Sequence, residues 1–489
     1  MDPFNKLPSE LCVQILISLR SRRSILRFAQ ASPAMLRQYV TSKTYITRTL
    51  VALDFDDQMI QDAMGIILLP PPDNRSRYSK VLRRHYVCWA ENQFPNSFKT
   101  RDGDLIDKVH TLYARLLLFI EDYLTKATAI FTPREYLCLP DLSPNGTHLM
   151  FKGEAVSPRF DATQLTDAER QRLLAAFLRY EMMCVIRHQE ASFVAGWNFP
   201  HPITGFMAEW DLGEPYECKV QRPGPSEREA MLCVHQYVRS LYAAMFAQCS
   251  NSWLPDIPVG SPYSYSTGLL YPDTLYVNAC AYASDMGLPP NEALHQISIE
   301  AAGFDLVAVL IRSAMAGQDG RDHLRSWFKR FFENTRMNSR SSIYSLHYGY
   351  GHYETGEVRD KPHEEDSGMY QMLCSRFSAN LSLHSDIYRQ RAWAFFDDDR
   401  FYPSSSAGPH FPDPMEMGEQ WGSTEDDVEW FSDPKQVRAR HRSQKWHDEL
   451  LGKPCGNEEV KESQNTGVET LLPVISERYW FRRLPRFWY

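Results

Sequence analysis

The sequence predicts a mainly α-helical protein with a few short strands, and three observations support that fold class. Apolar residues recur at helical spacing over long segments, most clearly from Asp104 to Phe131, where they predict a central helix with the apolar face Ile106, Val109, Leu112, Leu116, Leu117, Ile120 and Leu124. Two capping-box sequences, Thr166 to Glu169 and Ser226 to Glu229, each precede another helical segment. Strand-like patterns are short, as in the proline-rich stretch 132–163.

The composition is that of a globular protein without a strong excess of either charge. The chain has 489 residues, of which 43% are hydrophobic and 23% are charged, and its formal net charge is -8. Nucleic-acid-binding proteins usually carry a basic excess, so nucleic-acid binding is not predicted. No apolar run approaches the roughly 18 residues that a membrane span requires, so no membrane segment is expected.

The first residues and the cysteines predict the compartment. No apolar segment typical of a secretory signal peptide follows Met1. The ten cysteines are scattered and none forms a Cys-x-x-Cys pair, which indicates reduced thiols rather than disulfide bonds or a zinc site. These features predict a protein of the cytoplasm or the nucleus.

The first 40 residues predict three short helices that have more apolar surface than they can bury themselves. The first helix is predicted to run from Ser9, as N-cap, to about Leu19, and it is apolar on nearly all sides. A second follows the basic turn 20–23, and a third, short helix opens at Ser32 and Pro33. Chains below about 40 residues usually need a partner or another domain to fold stably.

These helices resemble an F-box. The similarity lies in the opening Leu7-Pro8-x-Glu10-Leu11, in the apolar spacing that follows, and in the Ala31-Ser32-Pro33 corner, which is similar to that of many F-box proteins of filamentous fungi. The resemblance covers residues 1–40. It implies docking on the Skp-type linker protein of a cullin-based ubiquitin ligase. By position in the motif, the implied partner-binding residues are Leu7, Pro8, Leu11, Ile15, Leu16, Leu19 and Leu26.

The same residues are compatible with a simpler arrangement, in which the three helices form the first layer of one large α-helical domain. Under that alternative, later helices of this chain cover the apolar first helix. The two interpretations differ in whether Leu11, Ile15, Leu16 and Leu19 keep any accessible surface.

Residues 41–396 are predicted to form a large helical body that receives the substrate. Helices are expected over 41–53, 56–69, 78–92, 104–131, 166–188, 226–249, 273–287, 290–317, 322–334, 366–377 and 381–396. Asn145-Gly146 favours a tight hairpin turn, and His148 to Lys152 favours a strand. The proline- and glycine-rich segment near 196–225 is a candidate inner boundary.

The C-terminal part has a different composition. Residues 397–470 are rich in proline, serine, glycine and acid and have few aliphatic side chains, so they are predicted to be a mostly disordered linker. The tail 471–489 is aromatic and basic, and it is expected to pack back on the body. The predicted architecture is therefore an N-terminal three-helix F-box, a large helical body with a few short strands, and a disordered C-terminal region.

The sequence carries no recognisable pattern for catalysis, for a cofactor or for a metal. It has neither a Walker loop nor a Gly-x-Ser-x-Gly elbow, and the histidines of 344–363 match no metal-ligand spacing. The predicted function is that of a non-catalytic substrate-recognition subunit, joined through the linker to a cullin and holding an unknown target protein. Two alternatives remain open: a ligase-independent F-box scaffold, and an enzyme with a helical active site near residues 344–363.

Overall fold

A computed structural model describes residues 2–20, 22–70, 78–100, 102–129, 131–143, 146–194, 225–255, 282, 286, 303–337 and 388–397. Within these residues the chain is mostly helical and contains one small antiparallel sheet of three strands. The prediction of a mainly α fold with a few short strands is confirmed.

The elements of the described residues are numbered in chain order. The helices are α1 (Ser9–Ser18), α2 (Arg22–Ala31), α3 (Pro33–Asp54), α4 (Asp57–Ile67), α5 (Tyr78–Ala90), α6 (Ser97–Thr100), α7 (Gly103–Ala127), α8 (Thr132–Glu135), α9 (Asp167–Val194), α10 (Pro225–Cys249), α11 (Gly303–Met315) and α12 (Gly317–Met337). The strands are β1 (Leu139–Pro140), β2 (His148–Phe151) and β3 (Glu154–Pro158). Short 3₁₀ helices span Pro3–Lys6 and Ala162–Gln164.

Helix α3 differs from the sequence-based expectation because it is one long helix instead of two. It has 22 residues and crosses positions 40 and 41, where the boundary between the predicted F-box and the body was expected. No glycine or proline lies between Ala34 and Asp54, so nothing in the sequence interrupts the helix. Ser32 caps its start as predicted, since its hydroxyl oxygen accepts from the Met35 amide at 3.1 Å.

Helix α7 is the central helix of the body, as the sequence predicts. Asp102 caps its start by accepting from the Leu105 amide at 3.2 Å. Helices α3, α4 and α9 and strand β1 pack around it. Its predicted apolar face is buried except for Leu117, which is half-buried; the buried members are Ile106, Val109, Leu112, Leu116, Ile120 and Leu124.

The sheet lies where the sequence predicts strands, but it has a second turn that the sequence analysis missed. Strand β2 pairs antiparallel with both β1 and β3. Between β2 and β3 the chain turns at Lys152 and Gly153, whose φ angles of 49° and 95° suit a two-residue hairpin. The Lys152 Nζ donates to the carbonyl oxygens of Ser250 and Ser252 at 2.9 and 2.5 Å, which holds this turn against the end of α10.

Only one of the two predicted capping boxes forms. The Glu169 amide donates to Thr166 Oγ1 at 3.1 Å, and the Thr166 amide donates to Glu169 Oε2 at 3.0 Å. Helix α10, however, begins at Pro225, so Ser226 lies inside it. The Glu229 carboxylate instead accepts two hydrogen bonds from Arg389 at 2.7 and 2.8 Å. The prediction of the second capping box was wrong because Arg389, from a distant part of the chain, bonds with its glutamate.

An ionic cluster joins α7, α9 and α11, with Arg115 and Glu181 buried and Asp305 partly exposed. Arg115 of α7 pairs with Glu181 of α9 at 3.2 Å and with Asp305 of α11. The same Glu181 carboxylate accepts from the Phe304 amide at 2.8 Å, at the start of α11. Gly303 permits this approach, because its φ is +76° and a Cβ would lie 2.8 Å from the Glu181 Oε2 atom.

Residues 388–397 return to the body from a distant part of the chain. The sequence predicts a helix over 381–396, of which the structure describes 388–396; here 388–390 are helical, 391–395 form turns and 396 forms a bend. Ala392 has a φ of +57°, which no continuous α-helix accommodates. The helix prediction was wrong here because side chains of the body, rather than neighbouring turns of a helix, bond several of the segment's backbone groups.

Several predictions fall on residues outside the described ones. These are Asn145 of the predicted hairpin turn, the candidate inner boundary near 196–225 apart from Pro225, most of the helix 273–287, the start of the helix 290–317, the helix 366–377, the start of the helix 381–396, the linker 397–470 apart from Asp397, the tail 471–489, and the alternative enzyme site near 344–363.

Candidate docking site

Residues 2–40, which we call the N-terminal unit, form a small hydrophobic core together with the middle of α3. The fully buried members of this core are Cys12, Val13, Leu16, Ile25, Met35 and Ile46. Phe4, Ile15, Ile17, Leu19, Phe28, Tyr39 and Leu50 pack partly against it. Two of these residues, Ile46 and Leu50, lie beyond position 40, so the N-terminal unit shares α3 with the body.

Helix α1 lies where it was predicted, with its cap displaced by one residue. Ser9 is the first helical residue and Pro8 occupies the N-cap position, without a side-chain capping bond. Glu10 lies in the first turn, where a negative charge is favourable. After α1, Arg20 adopts a φ of 50° and forms an ion pair with Asp167 at the start of α9. The basic turn thus ties the N-terminal unit to the body.

The seven residues implied by the F-box resemblance divide into three groups by exposure. Leu7 and Leu11 are exposed at 37% and 45%, and Pro8 is also exposed. Ile15, Leu19 and Leu26 are half-buried. Leu16 is fully buried in the core of the N-terminal unit, so its side chain holds α1 in place and presents no surface to a partner.

An apolar row follows one side of α1. Leu11, Ile15 and Leu19 are spaced by four residues, which places them along one side of a helix. Leu7 lies just before α1, in extended backbone, and is exposed as well. The opposite side points inward through Cys12, Val13 and Leu16. A helix that buries one apolar face and still presents a second one at the surface is typical of an interaction site. We call residues Leu7, Leu11, Ile15 and Leu19 the α1 row.

The structure shows two more exposed apolar side chains, which were not among the predicted docking residues. Leu36 and Val40 are exposed at 46% and 66%, and they lie one turn apart on α3. The sequence could have shown them by their spacing of four residues, next to Met35 and Tyr39, which contact the core of the N-terminal unit.

Asp2 fastens the start of the chain to the start of α3. Its Oδ2 accepts from the Ser32 hydroxyl at 2.6 Å and from the Ala34 amide at 3.0 Å, while its Oδ1 accepts from the Phe4 amide at 3.0 Å. These bonds, led by the one from Ser32, lower the pKa of Asp2 below its ordinary value of 3.8. The Phe4 ring then packs edge-on against Phe28, with centroids 5.0 Å apart.

Acid is expected to loosen the N-terminal unit through Asp2. The pKa of Asp2 is lower in the folded than in the unfolded chain, so the unfolded chain binds more protons near that pKa. Its contribution to stability is therefore present above the unfolded value of about 3.8 and is lost as the pH falls through the folded value. Thermal unfolding, followed from about pH 6 to about pH 3, should show a loss of stability that Asp2→Asn reduces. Equal pH profiles for the two proteins would contradict this role.

Most of the cysteines among the described residues lie in the core. Burial raises the pKa of the Cys138 and Cys233 thiols, and it raises that of Cys249 to about 12. A thiol with a raised pKa holds little of the reactive thiolate at neutral pH. These three cysteines therefore act as core side chains. In the same part of the chain, no group of three histidine, cysteine or acidic residues is arranged to hold a metal ion.

Comparison of the chain with protein-family models, with curated proteins and with solved structures finds no match. Within the described ranges, no helix is both long enough and apolar enough to span a bilayer. The α1 row, in which Leu7 and Leu11 are exposed, is the feature of the N-terminal unit that indicates a function.

Proposed function

We propose that this chain is a substrate-recognition subunit of a cullin-based (SCF-type) ubiquitin ligase, docked on a Skp-type linker protein through the α1 row. The single observation that carries the proposal is that Leu7 and Leu11 remain exposed after the N-terminal unit has folded. The other described helices leave this row accessible, so it is available to a second chain. Transfer of ubiquitin is then performed by other subunits, and this chain contributes proximity.

The energetics of the α1 row suit a docking site. Burying one exposed apolar side chain contributes about 1.5–3 kcal/mol. A few such anchors dominate the free energy of a typical interface, even after the costs of association. Leu7 and Leu11 supply the most exposed area, and the accessible parts of Ile15 and Leu19 extend it.

Helix α3 supports the proposal because it runs without a break from the N-terminal unit into the body. It starts in the N-terminal unit and, further along, packs against α7 and α9. The ion pair between Arg20 and Asp167 is a second connection between the same two parts. A target held by the body would therefore keep a defined distance from the linker protein, as a ligase that works by proximity requires.

Capture of the linker protein tests the proposal. The triple variant Leu7→Ala, Pro8→Ala and Leu11→Ala is expected to lose capture in a pull-down with purified Skp-type linker. Loss of even one such side chain, at about 1.5–3 kcal/mol, weakens binding by about tenfold or more. The helical circular dichroism of the body should stay unchanged, because these side chains lie outside the cores.

A matched control uses exposed apolar residues elsewhere on the chain. Tyr45, Leu53 and Val81 are exposed at 59%, 49% and 50%, and their replacement by alanine should leave capture intact. The proposed docking site is wrong if the α1-row variant still captures the linker, or if the control variant loses capture to the same degree. Capture of the linker without a cullin in the same complex would favour the ligase-independent scaffold.

A further inference from the structure

Residues 388–397, which we call the 388–397 segment, are held by the body in the way a protein holds a bound peptide. The segment contacts α7, α9 and α10, which all precede it by more than a hundred residues. Five of its six apolar side chains are at most 3% exposed, and the sixth, Ala394, is half-buried; the five are Tyr388, Ala392, Trp393, Phe395 and Phe396. Most of the segment is thus buried, although it forms neither a long helix nor a strand.

Side chains of the body bond the backbone of the 388–397 segment at four points. The hydroxyls of Tyr123 and Tyr136 donate to the carbonyl oxygens of residues 389 and 390. The Arg172 guanidinium donates twice to the carbonyl oxygen of residue 395, at 3.1 and 2.8 Å. The amide of residue 397 donates to Glu169 Oε1 at 3.0 Å. Buried backbone polar groups need hydrogen-bond partners, and here these partners are side chains of the body.

Glu229 bonds with two side chains of the segment. Its carboxylate accepts two bonds from Arg389, at 2.7 and 2.8 Å, in the forked geometry that distinguishes arginine from lysine. The same carboxylate accepts from Trp393 Nε1 at 3.1 Å. One buried acid thus recognises an arginine and a tryptophan four residues apart.

The end of α7 recognises a second arginine. Arg391 donates from one Nη atom to the carbonyl oxygens of Ala127 and Ala129, at 2.9 and 2.7 Å. The last carbonyl oxygens of a helix carry partial negative charge, so they favour a cation.

The start of α9 recognises the acid that closes the segment. Asp397 accepts from Thr166 Oγ1 at 2.7 Å, and it pairs with Arg172. Two arginines, a tryptophan and the closing acid are therefore each bonded by the body, and Glu229 serves both the first arginine and the tryptophan.

We propose that the body contains a peptide-binding site, centred on Glu229, for a short peptide of the form Arg-x-Arg-x-Trp-x-x-x-Asp, and that the 388–397 segment is its internal ligand. This proposal goes beyond docking on the linker protein and does not depend on it. With the segment in place, the Glu229 carboxylate is buried and paired with Arg389, so loss of the segment would break this ion pair and leave the acid without its cationic partner. The site therefore favours an occupant that carries an arginine at this position.

Cleavage of the full-length chain on both sides of the segment tests the proposal. A site for a specific protease is inserted between 380 and 381, and a second between 400 and 401. After cleavage, the excised 381–400 peptide is expected to co-elute with the body in size-exclusion chromatography. A labelled synthetic peptide of residues 386–399 should exchange into the site.

Variants of the labelled peptide test its recognition without changing the body. Arg389→Ala and Trp393→Ala are each expected to weaken binding by at least about tenfold, and Arg389→Lys by an intermediate amount, since lysine keeps the charge but loses the fork. In the body, Glu229→Gln should lower peptide affinity. Glu227→Gln, which changes an exposed acid on the same helix, is the matched control and should leave it unchanged.

The outcomes decide between a peptide site and an ordinary core segment. Retention of the excised peptide, with loss of affinity in the variants named above, supports the proposal. Equal binding of the parent, Arg389→Ala and Trp393→Ala peptides would overturn it. Release of the excised peptide without binding of the synthetic one would also overturn it, whether the body stays helical or unfolds.

Discussion

Replacing Asp122 by alanine is expected to lower the free energy of unfolding by about 3–5 kcal/mol. Asp122 and Lys126 lie one turn apart on α7, both side chains are fully buried, and their charged atoms are 2.8 Å apart. The Tyr237 hydroxyl of α10 donates to the same Asp122 oxygen at 2.6 Å. Removal of the carboxylate leaves the Lys126 ammonium in the core without its counter-charge, and this is the source of the large effect.

Denaturant unfolding followed by circular dichroism measures this effect, and two further variants separate its causes. Tyr237→Phe should cost about 0.5–1.5 kcal/mol, because it removes one hydrogen bond. Burial raises the pKa of Tyr237, so the hydroxyl keeps its proton and can donate throughout the ordinary pH range. The double variant Asp122→Leu with Lys126→Met should recover most of the loss, since an apolar pair can replace a buried ion pair.

The attribution of this loss to an unpaired Lys126 ammonium is wrong if the double variant is less stable than Asp122→Ala alone. In that case the loss would arise from packing around position 122 and not from an isolated ammonium ion.

Replacing Phe177 by alanine is expected to lower the free energy of unfolding by about 3–5 kcal/mol. Phe177 lies on α9 and is fully buried. Its ring stacks on Phe304 of α11, with centroids 5.4 Å apart and an angle of 7° between the planes. It also lies 6.3 Å from the ring of Tyr123 on α7 and 5.9 Å from that of Tyr237 on α10. Four helices meet at this side chain, so they cannot collapse into the space it leaves.

The same denaturation experiment checks the Phe177 prediction against an exposed aromatic residue. Tyr45 lies on α3 and is 59% exposed, so Tyr45→Ala should change stability by less than about 0.5 kcal/mol. A small effect of Phe177→Ala, comparable with that of Tyr45→Ala, would show that the four helices do not depend on this contact.

A sequence can predict where a helix starts when the capping bond joins residues that are close together in the chain. Ser32 caps α3, and Thr166 forms a capping box with Glu169, because each bond joins residues three positions apart. Glu229 had the same local pattern, but its carboxylate bonds with Arg389, which lies 160 residues away. A local motif cannot reveal such a competing partner.

The candidate docking site was predictable in part for the same reason. The apolar composition of α1 predicted exposed apolar surface, and Leu7 and Leu11 do remain exposed. A helix that is apolar on nearly all sides does not show which side faces inward. The burial of Leu16 and the exposure of Leu36 and Val40 depend on how α1, α2 and α3 pack together.

By itself, the sequence determined the mainly helical class, the central position of α7 and the excess of apolar surface near the N-terminus, because these follow from apolar spacing and from contacts between neighbouring residues. Only the tertiary structure decided which face of α1 stays accessible, that α3 runs unbroken into the body, and that the 388–397 segment occupies a site around Glu229. Each of these depends on contacts between residues far apart in the chain, whose geometry exists only after the helices have packed.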